Sequence, residues 1–170
     1  GLRAGEGRNE APLAKLKEAA GVSNVKATAA DIIGKRAMSR RDLERKLQEK
    51  GASQAEARYA AEWLEAIGAI NDADYAAILV RHCAGLGYGP ARIREKLPEK
   101  GVPRELWDEA LAQLPPAADA VRKVVAARLR GRPMTQEDSR KLAAALQRRG
   151  FSWNDIRPVL NEWGQEIDET

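Results

Sequence analysis

Three glycines at nearly equal spacing, Gly51, Gly101 and Gly150, divide this chain into similar stretches. One apolar residue stands eight positions before each glycine and another stands four positions before it, which places both on one helical face. These apolar pairs are Leu43 with Leu47, Ile93 with Leu97, and Leu142 with Leu146. A glycine just past the last turn, in the left-handed backbone conformation, commonly ends an α-helix. A repeat of about 50 residues therefore predicts one helical unit that is used three times.

A second helix is predicted after each glycine. Ser53 with Glu56 has the pattern of a capping box, Ser152 with Asp155 is a weaker version, and Pro103 suits a first helical turn. Apolar residues recur ten and thirteen positions past each glycine, and they are Ala61, Leu64, Leu111, Leu114, Leu160 and Trp163. This spacing gives each second helix an apolar stripe of its own.

A third helix is predicted ahead of these two in each unit. The segments are residues 25–37 with Ile32 and Ile33, residues 72–84 with Tyr75, Ile78 and Leu79, and residues 118–130 with Val121, Val124, Val125 and Leu129. No segment alternates apolar and polar residues convincingly, so we predict no sheet. Pro98 and Pro158 fall inside predicted helices, and each should bend or shorten its helix.

The predicted fold is therefore all-α, with three tandem three-helix repeats that form an elongated, modular array. We place the repeats at residues 24–70, 71–115 and 116–165, after a loose N-terminal segment over 1–23 and before a tail over 166–170. No run approaches the roughly 18 apolar residues of a membrane span, and no secretory signal is recognisable. The single cysteine, Cys83, excludes an internal disulfide framework. These features predict a cytoplasmic protein with no membrane contact, and nothing in them demands a dimer, so we expect a monomer.

The distribution of charge is more informative than the net charge of +4. Residues 35–50, 81–104 and 122–149 hold 22 of the 29 lysines and arginines, and the segments that follow each window are acidic. The middle helix of each unit is thus basic and the last helix is acidic. Aligned basic helices would attract phosphates or an acidic protein surface, with binding that weakens as salt rises. The alternative is that each basic helix simply pairs with the acidic helix beside it.

The candidate contact residues are basic side chains on helix sides that the apolar positions do not occupy. They are Arg40, Arg41, Arg45, Arg92, Arg94, Arg140, Lys141, Arg148 and Arg149. The glycine-rich turn over 85–89, with Pro90 at the first helical position, is flanked by arginines and is also suited to contact an anion or a carboxylate. Tyr88 in this turn either packs beneath it or presents its ring to a partner. The residues assigned to structural turns are Gly51, Gly87, Gly89, Pro90, Gly101 and Gly150.

A search for catalytic chemistry finds almost nothing. His82 is the only histidine, and it points about 100° away from the adjacent Cys83 on a helix, so the two side chains do not face each other. One cysteine and one histidine are too few for a zinc site. No P-loop or dinucleotide-binding glycine pattern is present. We therefore predict no enzymatic activity, no metal and no cofactor.

A long central motif resembles a known family. Residues 71–76 (NDADYA), Arg81, residues 87–97 (GYGPARIREKL) and residues 100–102 (KGV) closely resemble the signature of RecX, the bacterial regulatory proteins that modulate the RecA recombinase. Residues 39–43 and 46–51 resemble its first unit, and residues 148–156 resemble its end. The resemblance covers about residues 25–163, and the departures are Pro98, Pro158 and the Pro115–Pro116 pair. Arg81, Tyr88 and Lys96 belong to the matched signature and join the candidate contact residues.

The resemblance implies a protein of three three-helix repeats that binds along the groove of the RecA–DNA filament and bridges neighbouring protomers. It further implies suppression of the recombinase, ATPase and coprotease activities, with no catalysis of its own. The implied partners are the RecA filament and single- or double-stranded DNA, bound weakly or through the filament. Two other interpretations stay open. One is a direct DNA-binding protein, since basic helices joined by short turns also resemble helix-turn-helix units. The other is a helical scaffold whose charged faces serve solubility.

Overall fold

The computed structural model describes residues 21–164, and every regular element in that part of the chain is helical. In chain order the helices are α1 (residues 21–35 of the described part), α2 (Arg40–Glu49), α3 (Gln54–Ala66), α4 (Asp72–Gly85), α5 (Pro90–Glu99), α6 (Trp107–Leu111), α7 (Ala117–Leu129), α8 (Gln136–Arg148) and α9 (Trp153–Glu162). A 3₁₀ turn over Arg104–Leu106 leads into α6. The predicted all-α fold of successive three-helix repeats is confirmed.

The chain divides into two compact units, the first ending at Tyr75 and the second beginning at Ala76. The first unit contains α1 to α3, and the second contains most of α4 together with α5 to α9. The repeat boundaries at 70/71 and 115/116 stay predictions. Residues 21–23 are already helical, so the predicted loose segment over 1–23 is wrong for its last three positions. The rest of that segment and the tail over 166–170 lie outside the described residues.

The three repeat glycines terminate α2, α5 and α8 as predicted. Gly51, Gly101 and Gly150 have φ values of 104°, 83° and 98°, in the left-handed region. The amide that follows each glycine donates back to a carbonyl five residues earlier, as in Ala52 to Leu47 at 3.0 Å. The glycine amide itself reaches the carbonyl three residues earlier, as in Gly51 to Gln48 at 3.0 Å. This pair of bonds is the Schellman motif, which satisfies carbonyls that a helix end otherwise leaves without donors.

Side-chain caps begin several of the helices. The predicted capping box is confirmed, since Ser53 Oγ accepts from the Glu56 amide at 3.1 Å and Glu56 Oε1 accepts from the Ser53 amide at 2.9 Å. Ser152 Oγ accepts from the Asp155 amide at 3.3 Å. A second capping box, at Thr135 and Asp138, was not predicted. Pro103 precedes the 3₁₀ turn and not an α-helix, so the second helix of the middle repeat is the short α6.

The apolar pairs that define the repeat form the core. All six are buried, with exposed fractions between 0% and 2%. In the first unit they join α1 residues such as Ala29 and α3 residues such as Ala60 and Leu64. In the second unit, Leu142 and Leu146 join Val121 and Val125 of α7 and Ile156 of α9. Alanine at several of these contacts lets helices approach closely.

Two positions of the predicted apolar stripes are wrong, and bending of the helices at their prolines stays a prediction. Ile78 is 49% exposed and Trp163 is 36% exposed, although both were placed on apolar stripes. The buried side of α4 carries Ala76, Leu79, Val80 and Cys83, so of the residues predicted for this stripe only Leu79 is buried. Neither proline shortens its helix, because α5 continues through Pro98 to Glu99 and α9 continues through Pro158 to Glu162. Each proline removes one backbone donor, and both Pro158 and Asn154, whose carbonyl loses that donor, are exposed to solvent.

Candidate interaction surface

Arg40 is neutralised by glutamates of its own repeat. Its guanidinium lies 3.1 Å from Glu44, 3.4 Å from Glu62 and 3.4 Å from Glu65, the last two on the acidic helix α3. Only 27% of the Arg40 side chain is exposed. The prediction of an exposed Arg40 is therefore wrong, because contacts between α2 and α3 that are distant in sequence surround it. At this residue the alternative interpretation, pairing between the basic and acidic helices, is confirmed.

Arg41 and Arg45 remain on the exposed side of α2. Arg41 lies 3.4 Å from Asp42, and Arg45 lies 3.6 Å from Asp42 and 3.9 Å from Glu49. These partners stand on the same helix, and more than half of each arginine side chain is exposed. Exposed pairs of this kind contribute little, so they would not prevent either arginine from meeting a partner.

Two basic residues of the middle repeat form ion pairs within that repeat. Arg94 of α5 lies 3.5 Å from Asp108 of α6 and 5.5 Å from the centre of the Trp107 ring. Trp107 is held by a 2.8 Å hydrogen bond from its indole N–H to the Val102 carbonyl. Lys96 lies 3.2 Å from Glu99 on its own helix. Arg94 therefore also contacts the acidic helix of its repeat, as Arg40 does.

The third repeat breaks this pattern. Its acidic helix α9 pairs through Glu162 with Arg122 of α7, not with a residue of α8. Arg140, Arg148 and Arg149 of the α8 region are exposed. Within residues 21–164, no carboxylate lies within ion-pair distance of these three arginines. Lys141 pairs with Glu137 one turn earlier, at 3.0 Å. The basic helix of the third repeat thus keeps most of its positive charge uncompensated.

The turn between α4 and α5 packs directly on the turn between α8 and α9. The Gly89 amide donates to the Arg149 carbonyl at 2.7 Å, and the Ala91 amide donates to the Gly150 carbonyl at 3.2 Å. The carbonyl end of α8 therefore meets the amide end of α5, which also suits the dipoles of the two helices. Because these two amides are occupied by the chain's own carbonyls, they are not available to an external anion. Contact of the flanking arginines with an anion stays a prediction.

Two arginines border the glycine-rich turn. The Arg92 guanidinium lies over the half-buried Tyr88 ring, 4.2 Å from its centre. The Arg149 guanidinium passes close to Gly87, where an added Cβ would lie 3.2 Å from Nη1. Tyr88 therefore packs with one face against Arg92 and is neither fully buried nor fully presented to solvent. Cation–π contact holds the Arg92 side chain in place without neutralising it.

A groove of about 540 Å³ lies between α5 and the end of α8, and we call it the α5–α8 groove. It is lined by Ala91, Arg92, Glu95, Lys96, Glu99, Gln147, Arg148 and Gly150. The structure thus brings together three of the predicted contact residues, Arg92, Lys96 and Arg148, with Arg149 next to them in the chain. Arg81 is exposed on α4, and Arg140 and Lys141 lie near the start of α8, outside the groove lining.

Sequence reasoning missed the acidic and amide members of the groove, Glu95, Glu99 and Gln147, and the contact between its two glycine turns. The importance of Gly89 for that contact becomes clear only from its backbone conformation in the structure. With φ −84°, this residue has a backbone conformation that any amino acid adopts. A glycine where conformation does not require one indicates close approach of another group.

The described residues offer little for catalysis. Among residues 21–164, no three His, Cys, Asp or Glu side chains are grouped so that they could hold a metal ion. Cys83 is buried, and burial raises the pKa of its thiol, which makes it a poor nucleophile. Within the same span, no helix has both the length and the apolar character needed to cross a membrane.

Comparison with known protein families matches two consecutive stretches of the chain. Residues 71–111 match the family described as RecX, second three-helix domain, and residues 117–160 match RecX, third three-helix domain. A regulatory protein RecX of Pseudomonas fluorescens is 33% identical over 150 residues, which cover 85% of this chain and 94% of the relative. The regulatory protein RecX of Pseudomonas putida strain KT2440 is 31% identical over 147 residues, which cover 85% and 93%.

Two solved structures share the fold. The crystal structure of RecX from Lactobacillus salivarius superposes with a TM-score of 0.74 at 21% identity, covering 86% of this chain and 98% of that one. A second crystal structure, of a regulatory protein RecX, gives a TM-score of 0.75 at 24% identity and covers 89% of this chain and 77% of that one. At these identities the likeness concerns the arrangement of helices.

Proposed function

Because the chain belongs to the RecX family of regulatory proteins, we propose that it regulates the RecA recombinase by binding the RecA–DNA filament and inhibiting its recombination, ATPase and coprotease activities. What carries the proposal is the α5–α8 groove, where the two matched domains meet around arginines that have no carboxylate partner in the described chain. It would act as a cytoplasmic monomer, with no cofactor and no catalysis of its own.

The groove would supply the main contact because its charge is still available. Arg92 and Arg148 line it, and Arg149 lies beside it, whereas Arg40 already has glutamate partners and Arg94 has an aspartate partner. An arginine that is mostly buried among carboxylates, as Arg40 is, offers less to a new partner than an unpaired one, whereas the exposed pair of Arg94 is a weaker hindrance. We therefore rank Arg92, Arg148 and Arg149 above the paired residues.

Binding would be multivalent. Arg41 and Arg45 in the first repeat and Arg140 and Lys141 in the third add further exposed positive charge, and the half-buried Lys96 of the second lines the groove. Several modest contacts made by one chain reinforce each other, because each bound repeat raises the effective concentration of the next. Such a protein inhibits a filament when its repeats engage neighbouring protomers together.

Charge reversal tests the role of the groove. Arg148→Glu should raise the concentration needed for half-inhibition of the RecA ATPase on single-stranded DNA several-fold. Arg58→Glu is the matched control, since Arg58 is an exposed arginine of α3 outside the candidate set, and the change in net charge is the same. Equal inhibition by wild type and Arg148→Glu would remove Arg148 from the contact surface.

A second pair of substitutions tests the middle repeat. Arg92→Glu combined with Arg94→Glu should weaken binding to the filament while the helical content of the protein is unchanged. Unchanged inhibition by this variant would contradict the role assigned to α5.

The alternative function is direct binding of DNA without a recombinase. It is favoured by Arg140, Arg148 and Arg149, whose charge is uncompensated within residues 21–164. Glu95 and Glu99 in the same groove oppose it, because carboxylates repel a phosphate backbone. Affinity for naked DNA, measured over a range of salt concentrations, separates the two functions.

A further inference from the structure

We infer that Gly89 and Gly150 are positioning residues, whose backbone contact fixes α5 against α8 and so holds Arg92 and Arg148 on one groove. This inference rests on the proposed function in taking the groove as the surface that meets the partner. The contact itself is a property of the chain and is measurable without any partner.

Gly89 is required by close approach and not by conformation. Its φ is −84°, a value open to any residue. A Cβ at this position would lie 2.4 Å from the Gly150 carbonyl carbon, 2.5 Å from its oxygen and 2.5 Å from the Phe151 amide nitrogen. All three atoms belong to the backbone, so no side-chain rotation relieves the clash. Alanine fits at position 89 only if the turn between α4 and α5 moves away from the turn between α8 and α9.

Gly150 combines two requirements, of which Gly51 shows only the first. Both end a helix with a similar φ, 98° at Gly150 and 104° at Gly51. Nothing lies within 4 Å of a Cβ built on Gly51, whereas one built on Gly150 would lie 2.6 Å from both the Cβ and the amide nitrogen of Arg92. The helix terminator is therefore common to the repeats, and the close contact with α5 is an additional feature of the third.

The hydrogen bonds of this contact lie next to the two groove arginines in sequence. Ala91, whose amide donates to the Gly150 carbonyl, directly precedes Arg92. Arg149, whose carbonyl accepts from the Gly89 amide, directly follows Arg148. The two bonds also satisfy groups that helix ends leave unpaired, so separating the turns would expose them. This contact between the two glycine turns, which we call the joint, therefore sets the spacing of the arginines across the groove.

Hydrogen exchange of the wild-type protein tests the joint directly. The Gly89 and Ala91 amides belong to the start of α5, where amides otherwise exchange readily, and protection of both is expected because their acceptors lie on the turn after α8. Exchange of both amides at the rate of an open helix end would overturn the inference, whatever the protein does to RecA. This measurement needs no substitution and so does not depend on whether a variant folds.

Gly89→Ala tests the consequence, with Gly85→Ala as its matched control. Gly85 ends α4 in the same connection, has an ordinary φ and has nothing within 4 Å of an added Cβ. In Gly89→Ala we expect exchange at Ala91 to rise at least about tenfold, with helical content kept. The half-inhibitory concentration should rise at least about tenfold as well, through lost simultaneous engagement. Gly85→Ala should match wild type in both.

The outcomes separate this inference from the proposed function. If Gly89→Ala opens the Ala91 amide but inhibits RecA as well as wild type does, the positioning role is overturned and the proposed function stands. If wild type itself fails to inhibit, the proposed function fails, and the exchange of the Gly89 and Ala91 amides still decides whether the joint exists.

Discussion

Arg122 of α7 and Glu162 of α9 stand 40 positions apart in the sequence and form a two-pronged ion pair. Nη2 of Arg122 lies 2.7 Å from Oε1 of Glu162, and Nε lies 3.1 Å from Oε2. A third contact joins Nη1 of Arg122 to Asp119 at 2.6 Å. Glu162 of α9 is therefore paired with α7 and not with the basic helix α8.

Glu162→Gln should lower the melting temperature by a small amount, because it removes the charge that the Arg122 fork binds. The difference from wild type should shrink as salt is added, since both side chains are about half exposed and salt screens them. Glu109→Gln is the control, because Glu109 is exposed on α6 and has no ion-pair partner among the described residues. A loss that is independent of salt would show that the pair is not the cause.

Stability should fall on the acid side. Hydrogen bonds from the backbone at Ser53 and Thr135 lower the pKa of Glu56 and Asp138, and the hydrogen bond from Arg122 lowers the pKa of Glu162. Their contribution is complete above the unfolded values, 4.5 for glutamate and 3.8 for aspartate, and is lost as the pH falls through the lower folded values. Urea unfolding between roughly pH 7 and pH 2 measures this loss. A free energy of unfolding that stays constant below the unfolded values would contradict it.

Leu64 of α3 and Ile67, which directly follows that helix, provide a matched test of the core. Leu64 is 2% exposed, and Ile67, three positions later, is 60% exposed. Leu64→Ala should cost about 2–5 kcal/mol, since it removes buried methyl groups and leaves a cavity. Ile67→Ala should change the free energy of unfolding by less than about 0.5 kcal/mol. Denaturant titration of both variants measures the difference, and equal losses would mean that the buried face of α3 is misassigned.

Cys83 reports on the opening of the second unit. It is the only cysteine, it is 3% exposed, and burial raises the pKa of its thiol. A thiol reagent should therefore modify the native protein slowly and the urea-unfolded protein at the rate of a free thiol. Rapid, complete labelling of the native protein would place Cys83 on the surface and contradict the packing of α4.

Local chemistry explains what the sequence could predict. The Gly51, Gly101 and Gly150 terminators and the apolar pairs before them depend on residues within one or two turns, so spacing alone identifies them. The buried side of α4 was misassigned because residues 76–80 are apolar on every side of the helix. Periodicity cannot choose among such faces, and packing against neighbouring helices decides.

The sequence predicted which basic residues form the candidate surface but not which of them are paired with a carboxylate. Basic residues on the middle helices were correctly singled out as exposed in most cases, yet whether each one is neutralised depends on partners far along the chain. Glu65 stands 25 positions from Arg40 and pairs with it, whereas Arg148 has no such partner in residues 21–164. The Gly89–Gly150 contact likewise joins two repeats, and no pattern within either repeat specifies it.

The central claim is tested most directly by the ATPase rate of RecA filaments on single-stranded DNA during titration with this protein, with its affinity for the same DNA measured in the same buffer. A filament-directed regulator should inhibit at concentrations well below those that coat the DNA. Inhibition only at DNA-saturating concentrations, or no inhibition at all, would contradict the proposed function and leave a DNA-binding protein or a helical scaffold with the fold of the family.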